Sequence, residues 1–317
     1  MINFIGDIEK INSISLINKE LVSRIKCNHF LKYDELVKMI IDCSIQTTIS
    51  HTFPTLNLDL KNWIIIQPWE YSHLLKSMIE PFEKAGAIIT PSNFCKTAFE
   101  NSGIKTPIKV IPNGISSEFH VKPLEHDSFN FLYVGGLTFR KGFDILLNAF
   151  KNVFSKKDKV NLIVKGMGSY SFYQNQNYVE MLKSLKDDIN IIYTEKDLGL
   201  KAMINMYNSC DCLVAPYRGE GFCMPVLEAM SCGLPCIVSD GATNDYIDEN
   251  CVKIGTYKKF IDNSDFLEGA YISEPFQYIL EQSLYEMYLK GKQLYKRDMS
   301  YYYWENIVNQ YKEFLGE

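Results

Sequence analysis

Asp211–Ile247 reads DCLVAPYRGEGFCMPVLEAMSCGLPCIVSDGATNDYI, and its alternation of segment types decides the architecture. An apolar run, Cys212 to Ala215, stops at Pro216; the polar turn YRGEG follows; PVLEAM then resumes a helical pattern that Gly233 and Pro235 break. A short apolar strand, CIVSD, comes next. The order is strand, loop, helix, strand. Pro225 suits the first helical turn, where a missing N–H costs nothing, and Gly233 suits the C-terminal cap.

Working outward, the same alternation fills the second half of the chain. FNFLYVGG, VNLIVKG, INIIY and CLVAP read as strands. Between them lie FRKGFDILLNAFKNVF, with an apolar stripe at Phe143, Ile145, Leu146, Ala149 and Phe150, and helices expected over 176–187 and 197–209. Strands alternating with crossover-length helices imply an α/β fold with a parallel, doubly wound sheet. Arg140 and Lys141 stand at the first strand-to-helix turn, before Gly142. Two cations at a helix start oppose its macrodipole, so either solvent or a bound anion should compensate them. KGMGSY places Gly166 and Gly168 at the C-terminal end of the next strand.

Glu220 and Glu228 are separated by seven residues, one just before the helix and one about a turn inside it, so both can face one crevice. The helix N-terminus offers backbone N–H groups and positive dipole to a diphosphate. Gly219 and Gly221 let the backbone approach a ligand closely. Carboxylates beside a phosphate site suit hydrogen bonds from sugar or ribose hydroxyls, since they would repel a second anion. The layout points to a nucleotide-sugar.

The first half repeats the βα theme. INFIG reads as a strand and SLINKELVSRI as a helix that Ser13 or Ser15 would cap. Residues 34–42 read as helical. CSIQTTIS reads as a strand that delivers His51 to its C-terminal end, where open α/β sheets hold ligands; a lone histidine there is either structural or ligand-facing. WIIIQPWEY is a strand, followed by a helix to about Lys84, the strand GAIIT, a helix opened by Pro91 and Ser92, and the strand IKVIPNGI. Ser116 to Ser128 is polar and aperiodic, as a linker would be. YYYWENIVNQYKEFL is an amphipathic helix around Trp304, Ile307, Val308, Tyr311 and Phe314.

Composition sets bounds. A length of 317 residues allows about two domains, and 46% hydrophobic with 22% charged residues argues against disorder. No apolar run approaches the roughly 20 residues of a membrane span. MINFIGDIEK carries acidic residues where a secretion signal has basic ones, so a cytoplasmic location is expected. The nine cysteines form no pair of C-x-x-C knuckles and read as reduced thiols. With 33 basic and 38 acidic residues the net charge is −5, no footprint for nucleic acid.

The string E-G-F-x-x-P-x-L-E-A-M-x-x-G-x-P, as it stands from Glu220 to Pro235, resembles the donor-binding motif of retaining glycosyltransferases of family 4. The resemblance implies a GT-B fold: two Rossmann-like domains whose parallel sheets face a central cleft. It places the acceptor-side domain at 1–118, the donor domain at 119–300, and a helix at 301–317 that crosses back to the N-terminal domain. It implies transfer of a hexosyl unit from a nucleoside diphosphate sugar, with retention, to a saccharide, lipid-linked saccharide or glycoprotein hydroxyl in surface glycan or glycoconjugate synthesis. Peripheral contact with the inner membrane face would fit. Carried over by position, the catalytic residues are Glu220, Arg140, Lys141 and His51, with His51 touching the donor sugar. The donor-binding residues are Glu228, Gly221, Phe222, Cys223, Met224, Pro225, Gly136 and Gly166. Gly136 stands where the family usually has its first basic residue, and the loop after the first strand carries only Gly6 where the family is glycine-rich. Trp69 and Glu70 are candidates for lining the acceptor cleft. No metal ion and no cofactor are implied, and no Asp-x-Asp site is present. The alternatives are a nucleotide-sugar epimerase or hydrolase on the same fold, and a catalytically silent partner subunit of another transferase.

Overall fold

The computed structural model describes residues 2–10, 12–31, 47–60, 62–167 and 178–317. The expected helix at 34–42, the first part of the CSIQTTIS strand, the Gly168 loop and the start of the 176–187 helix lie outside the described residues. The chain forms two compact units. The first comprises Met1–Gly114, Phe260–Tyr271 and Ser300–Glu317, and the second comprises Ile115–Lys259 and Ile272–Met299.

In the first unit, β1 (Ile2–Ile5), β2 (Cys27–Phe30), β3 (Thr47–Ser50), β4 (Trp63–Ile66), β5 (Ala87–Thr90) and β6 (Ile108–Val110) form one six-stranded sheet in the order β2-β1-β3-β4-β5-β6. Every neighbouring pair is parallel. Such strands are covered on both faces, which is why they read as runs rather than alternations. Ile5, Trp63, Ile65, Phe82, Ile88 and Phe99 build the core. Helices α1 (Ser13–Arg24), α2 (Lys76–Lys84) and α3 (Asn93–Asn101) connect the strands. The cap of α1 is Asn12, whose Oδ1 accepts the Ser15 N–H at 2.8 Å. Neither serine does this, because both lie inside the helix. Ser92 caps α3 by accepting the Cys95 N–H at 3.2 Å.

The second unit has β7 (Phe129–Gly135), β8 (Val160–Gly166), β9 (Ile191–Thr194), β10 (Cys212–Ala215), β11 (Cys236–Ser239) and β12 (Val252–Ile254) in the order β12-β11-β10-β7-β8-β9, again parallel throughout. Counted from its own first strand, this is the 3-2-1-4-5-6 order of the dinucleotide-binding fold. The order reverses between β7 and β10, and α/β sheets bind ligands at the carboxyl ends of strands at such a switch point. Its helices are α4 (Phe143–Val153), α5 (Val179–Ser184), α6 (Leu200–Asn208), α7 (Met224–Ser231) and α8 (Gln277–Lys290). Phe131, Leu146, Phe150, Leu162 and Val214 lie fully buried between sheet and helices.

Two paired strands, β13 (Thr256–Phe260) and β14 (Tyr271–Pro275), frame an excursion of the chain whose Phe266 packs on Trp69 and Tyr71 of the first unit. The last helix, α9 (Trp304–Leu315), also belongs to the first unit and buries Trp304, Ile307, Val308 and Tyr311. Among the described residues no helix is long and apolar enough to cross a membrane. The eight described cysteines form no disulfide.

Candidate active site

The loop after β7 carries Arg140 and Lys141, and the loop after β10 carries Glu220, so both sides of the switch point contribute. Gly142 makes this approach possible. It sits at φ +68°, and a Cβ there would lie 1.8 Å from the Pro216 carbonyl oxygen. The Arg218 N–H donates to the Arg140 carbonyl at 2.8 Å, fastening one loop to the other. Across this junction the Lys141 ammonium is ion-paired and hydrogen-bonded to Glu220 Oε2. Arg140 Nη1 lies 3.8 Å from the same oxygen and donates to the Gly219 carbonyl at 2.9 Å. Burial alone would push the Glu220 carboxyl up, but Lys141 and then Arg140 outweigh it and hold Glu220 below the usual glutamate value. The structure thus revises one expectation: in the chain alone, the counter-charge for the two cations is Glu220.

A second set of contacts holds the two loops in place. Buried Arg218 donates from Nε to both Glu274 oxygens at 2.8 and 2.9 Å. Its Nη1 and Nη2 grip Asp144 at 2.7 and 2.8 Å, and Nη1 also meets the Phe139 carbonyl at 2.6 Å. Its guanidinium stacks on the Phe139 ring, 3.7 Å from the centroid. Arg218, Asp144 and Glu274 escaped the sequence reading; the arginine two residues before Glu220 was the available signal.

The helix α7 begins without a side-chain cap, and its N-cap residue Cys223 adopts the left-handed conformation at φ 66°, ψ 63°. A non-glycine residue there is strained, and such strain persists where surrounding structure over-determines it, often at functional sites. Here Tyr246 does so: its hydroxyl donates to the carbonyls of Phe222 and Cys223 at 2.6 and 2.9 Å. Phe222 itself packs against the Tyr246 ring, centroids 5.0 Å apart. Gly221 donates its N–H to the Glu220 carboxylate. Met224 and Pro225 open α7. Gly136 is held under the switch point by the Tyr133 hydroxyl, which donates to its carbonyl at 2.7 Å. Gly166 ends β8 opposite Gly135, and a Cβ there would meet the Tyr193 ring at 3.0 Å.

Glu228, one turn into α7, does not join the Lys141 cluster. Its Oε2 accepts from the Tyr207 hydroxyl at 2.6 Å. Burial pushes the Glu228 carboxyl above its ordinary value, and the tyrosine hydrogen bond pulls partly back. Tyr207, on α6, was also missed by the sequence reading, as no local spacing links it to Glu228.

In the first unit, His51 follows β3 beside β1, where that sheet's order also reverses. Asn18 on α1 donates from Nδ2 to the carbonyls of Asp7 and His51 at 2.9 and 3.2 Å, which turns its Oδ1 toward His51 Nδ1 at 2.6 Å. The imidazole therefore carries its proton on Nδ1. Nε2 is an acceptor, buried without a hydrogen-bond partner among the described residues. Burial drives the His51 pKa down to about 3, so the ring is neutral across the physiological range. Trp69 does not line a cleft. It is a core residue, its Nε1–H given to the His73 carbonyl at 2.8 Å and its ring set against Tyr71 and Phe266.

With this geometry in view, the comparison with known proteins is specific. Residues 115–251 match the family model described as glycosyl transferases group 1. That match lies within the second unit. Among curated relatives, the lipopolysaccharide 1,2-N-acetylglucosaminetransferase of Salmonella typhimurium is 24% identical over 251 residues, 71% of this chain and 61% of that protein. The chain spans between 45% and 61% of the length of three curated relatives it matches. The Anabaena protein Alr3699/HepE, solved with UDP and glucose, superimposes with a TM-score of 0.68 over 99% of both chains at 14% identity. The lipopolysaccharide outer core galactosyltransferase WaaB gives 0.65 over 99% of both chains at 18% identity. At such identities the likeness is one of fold: two parallel-sheet, Rossmann-like units of the GT-B type. The group 1 match covers Arg140, Lys141, Glu220 and Glu228 together.

Proposed function

We propose that this chain is a retaining, metal-independent glycosyltransferase that moves a hexosyl unit from a nucleoside diphosphate sugar to an acceptor hydroxyl. One observation carries the reading: Arg140, Lys141 and Glu220 converge at the switch point of a dinucleotide-type sheet, next to the uncapped N-terminus of α7. As the bond to the anomeric carbon breaks, negative charge gathers on the departing diphosphate. Arg140, Lys141 and the α7 N-terminus are preorganised donors for that charge. Glu220 keeps the lysine in place in the chain alone, and with donor bound its carboxylate accepts from a sugar hydroxyl. Glu228 accepts from the ribose. His51 is neutral and its Nε2 carries no proton, so it is not a general acid. Retention and the acceptor class (saccharide, lipid-linked saccharide or glycoprotein) rest on family resemblance; a lipopolysaccharide transferase among the relatives supports a glycan-building role.

The test begins with a melting-temperature screen of nucleotide-sugars, followed by transfer assays with candidate acceptors and anomeric analysis of the product. Turnover should survive EDTA. Lys141→Met should cut turnover by about 100-fold or more, the scale of losing one preorganised donor. Activity abolished by EDTA and restored by Mg²⁺ or Mn²⁺ would overturn metal independence; steady release of free sugar, indifferent to acceptor, would make the chain a hydrolase.

A further inference from the structure

Burial raises the pKa of the Glu228 carboxyl, and no salt bridge among the described residues involves it. The titratable groups that bear on it or on its partner are Tyr207 on α6 and the thiols of Cys223 and Cys232 at the two ends of α7. Burial pushes both thiols up to about 12, so they stay uncharged. Among the described residues, the tyrosine hydroxyl, 2.6 Å from Oε2, is the polar group that favours the charged form. No hydrogen bond within the described residues reaches the other oxygen, Oε1, and it is not sealed from solvent.

Tyr207 is itself held by packing. It is fully buried, its ring meets Phe119 edge-on at 5.8 Å, and its neighbour Asn208 pins the end of α6. Asn208 accepts the Lys122 N–H at 2.6 Å and donates to the His120 and Ile204 carbonyls at 3.1 and 2.9 Å. A ring so held can point its O–H in only a narrow cone, and that cone contains Oε2.

We infer that Tyr207 is a positioning residue for the donor: it fixes the Glu228 carboxylate so that Oε1 is left to accept from the nucleotide ribose. The inference rests on the donor-binding reading above and adds the group that makes Glu228 competent. Substrate touches Glu228; Tyr207 acts through it.

The experiment uses the full chain and whichever of UDP, GDP or ADP stabilises it, with inorganic pyrophosphate as a probe that lacks ribose. Tyr207→Phe keeps the ring and its contact with Phe119. It should weaken nucleoside diphosphate binding about tenfold and leave pyrophosphate binding unchanged. Because binding needs the carboxylate, affinity falls as pH drops through the Glu228 pKa. Loss of the tyrosine donor raises that pKa further, so the midpoint of the fall should move to higher pH. Replacing Tyr207 by 3-fluorotyrosine, a stronger donor of the same shape, should move it lower, which keeps the test decisive even where the Phe variant folds poorly. In a Glu228→Gln background neither change should have an effect. A weak Glu228→Gln beside a Tyr207→Phe of parental affinity and unmoved midpoint would overturn the role of Tyr207 and leave the donor site standing. A Glu228→Gln of parental affinity would overturn the donor reading itself.

Discussion

His51 shows how much of one residue's chemistry a neighbour can set. Its placement at the end of a strand was legible from SHTFP, but not its ionisation or tautomer, because burial sets the first and Asn18, 33 positions away in sequence, sets the second. The buried ring has its pKa near 3 where an exposed histidine has 6.5. The sign follows from linkage: between these values the unfolded chain takes up a proton that the folded chain refuses, so stability is complete above about pH 6.5 and falls as pH drops, by up to about 1.4 kcal/mol per pH unit. His51→Asn cannot titrate there yet still offers an amide N–H to Asn18 Oδ1. Its denaturation midpoint should lie nearer the parent's at pH 4.5 than at pH 7. Parallel pH profiles would mean that His51 is not held neutral in the folded state. Glu220 and Glu228 could be singled out for the opposite reason, their type and spacing within one loop and helix, whereas their partners Lys141 and Tyr207 arrive from other elements.

At the level of elements, the strands and most helices of both sheets could be read because parallel strands are apolar runs and the helices between them carry 3.6-residue stripes. What escaped were pieces without a clear pattern, among them α8, although it runs to 14 residues. CNHF of β2 and VKI of β12 have too few residues for a period, and TYKKF of β13 is largely exposed. The Arg218 clasp escaped as well, since it joins the loop after β10 to the first turn of α4 and to β14. Its arginine stands between two carboxylates, both mostly buried. Arg218→Met would take that cation from Asp144 and leave Glu274 with the half-exposed Lys259 ammonium at 3.5 Å, and breaking a buried pair typically costs about 3–5 kcal/mol. Lysine should not rescue it, for one ammonium cannot serve both carboxylates and stack on Phe139. Urea titration of the two variants gives the measurement. A loss below about 1 kcal/mol for Met would mean that solvent screens the clasp.

For the molecule as a whole, the decisive feature is that the first unit is assembled from three separated segments while the second closes on itself with one interruption. Composition gives no hint that residues 260–271 belong with the first 114; that membership depends on Phe266 meeting Trp69 and Tyr71. The tail is better signalled, since Trp304, Ile307, Val308 and Tyr311 recur at i, i+3, i+4 and i+7, and all four are buried; Phe314, expected on the same stripe, is 37% exposed. Trp304 closes over the backbone at Gly114, where an added Cβ would lie 2.5 Å from its ring. Truncating a packed tryptophan to alanine costs about 3–5 kcal/mol, and here the loss belongs to the first unit. A bound nucleoside diphosphate stabilises by mass action only the unit that holds it. Calorimetry should then resolve two transitions, one raised by nucleotide and assigned to the second unit. Trp304→Ala should lower the other and leave the nucleotide-responsive one in place. If the substitution moves both together, the chain melts as one cooperative body, and the two sheets depend on each other for stability.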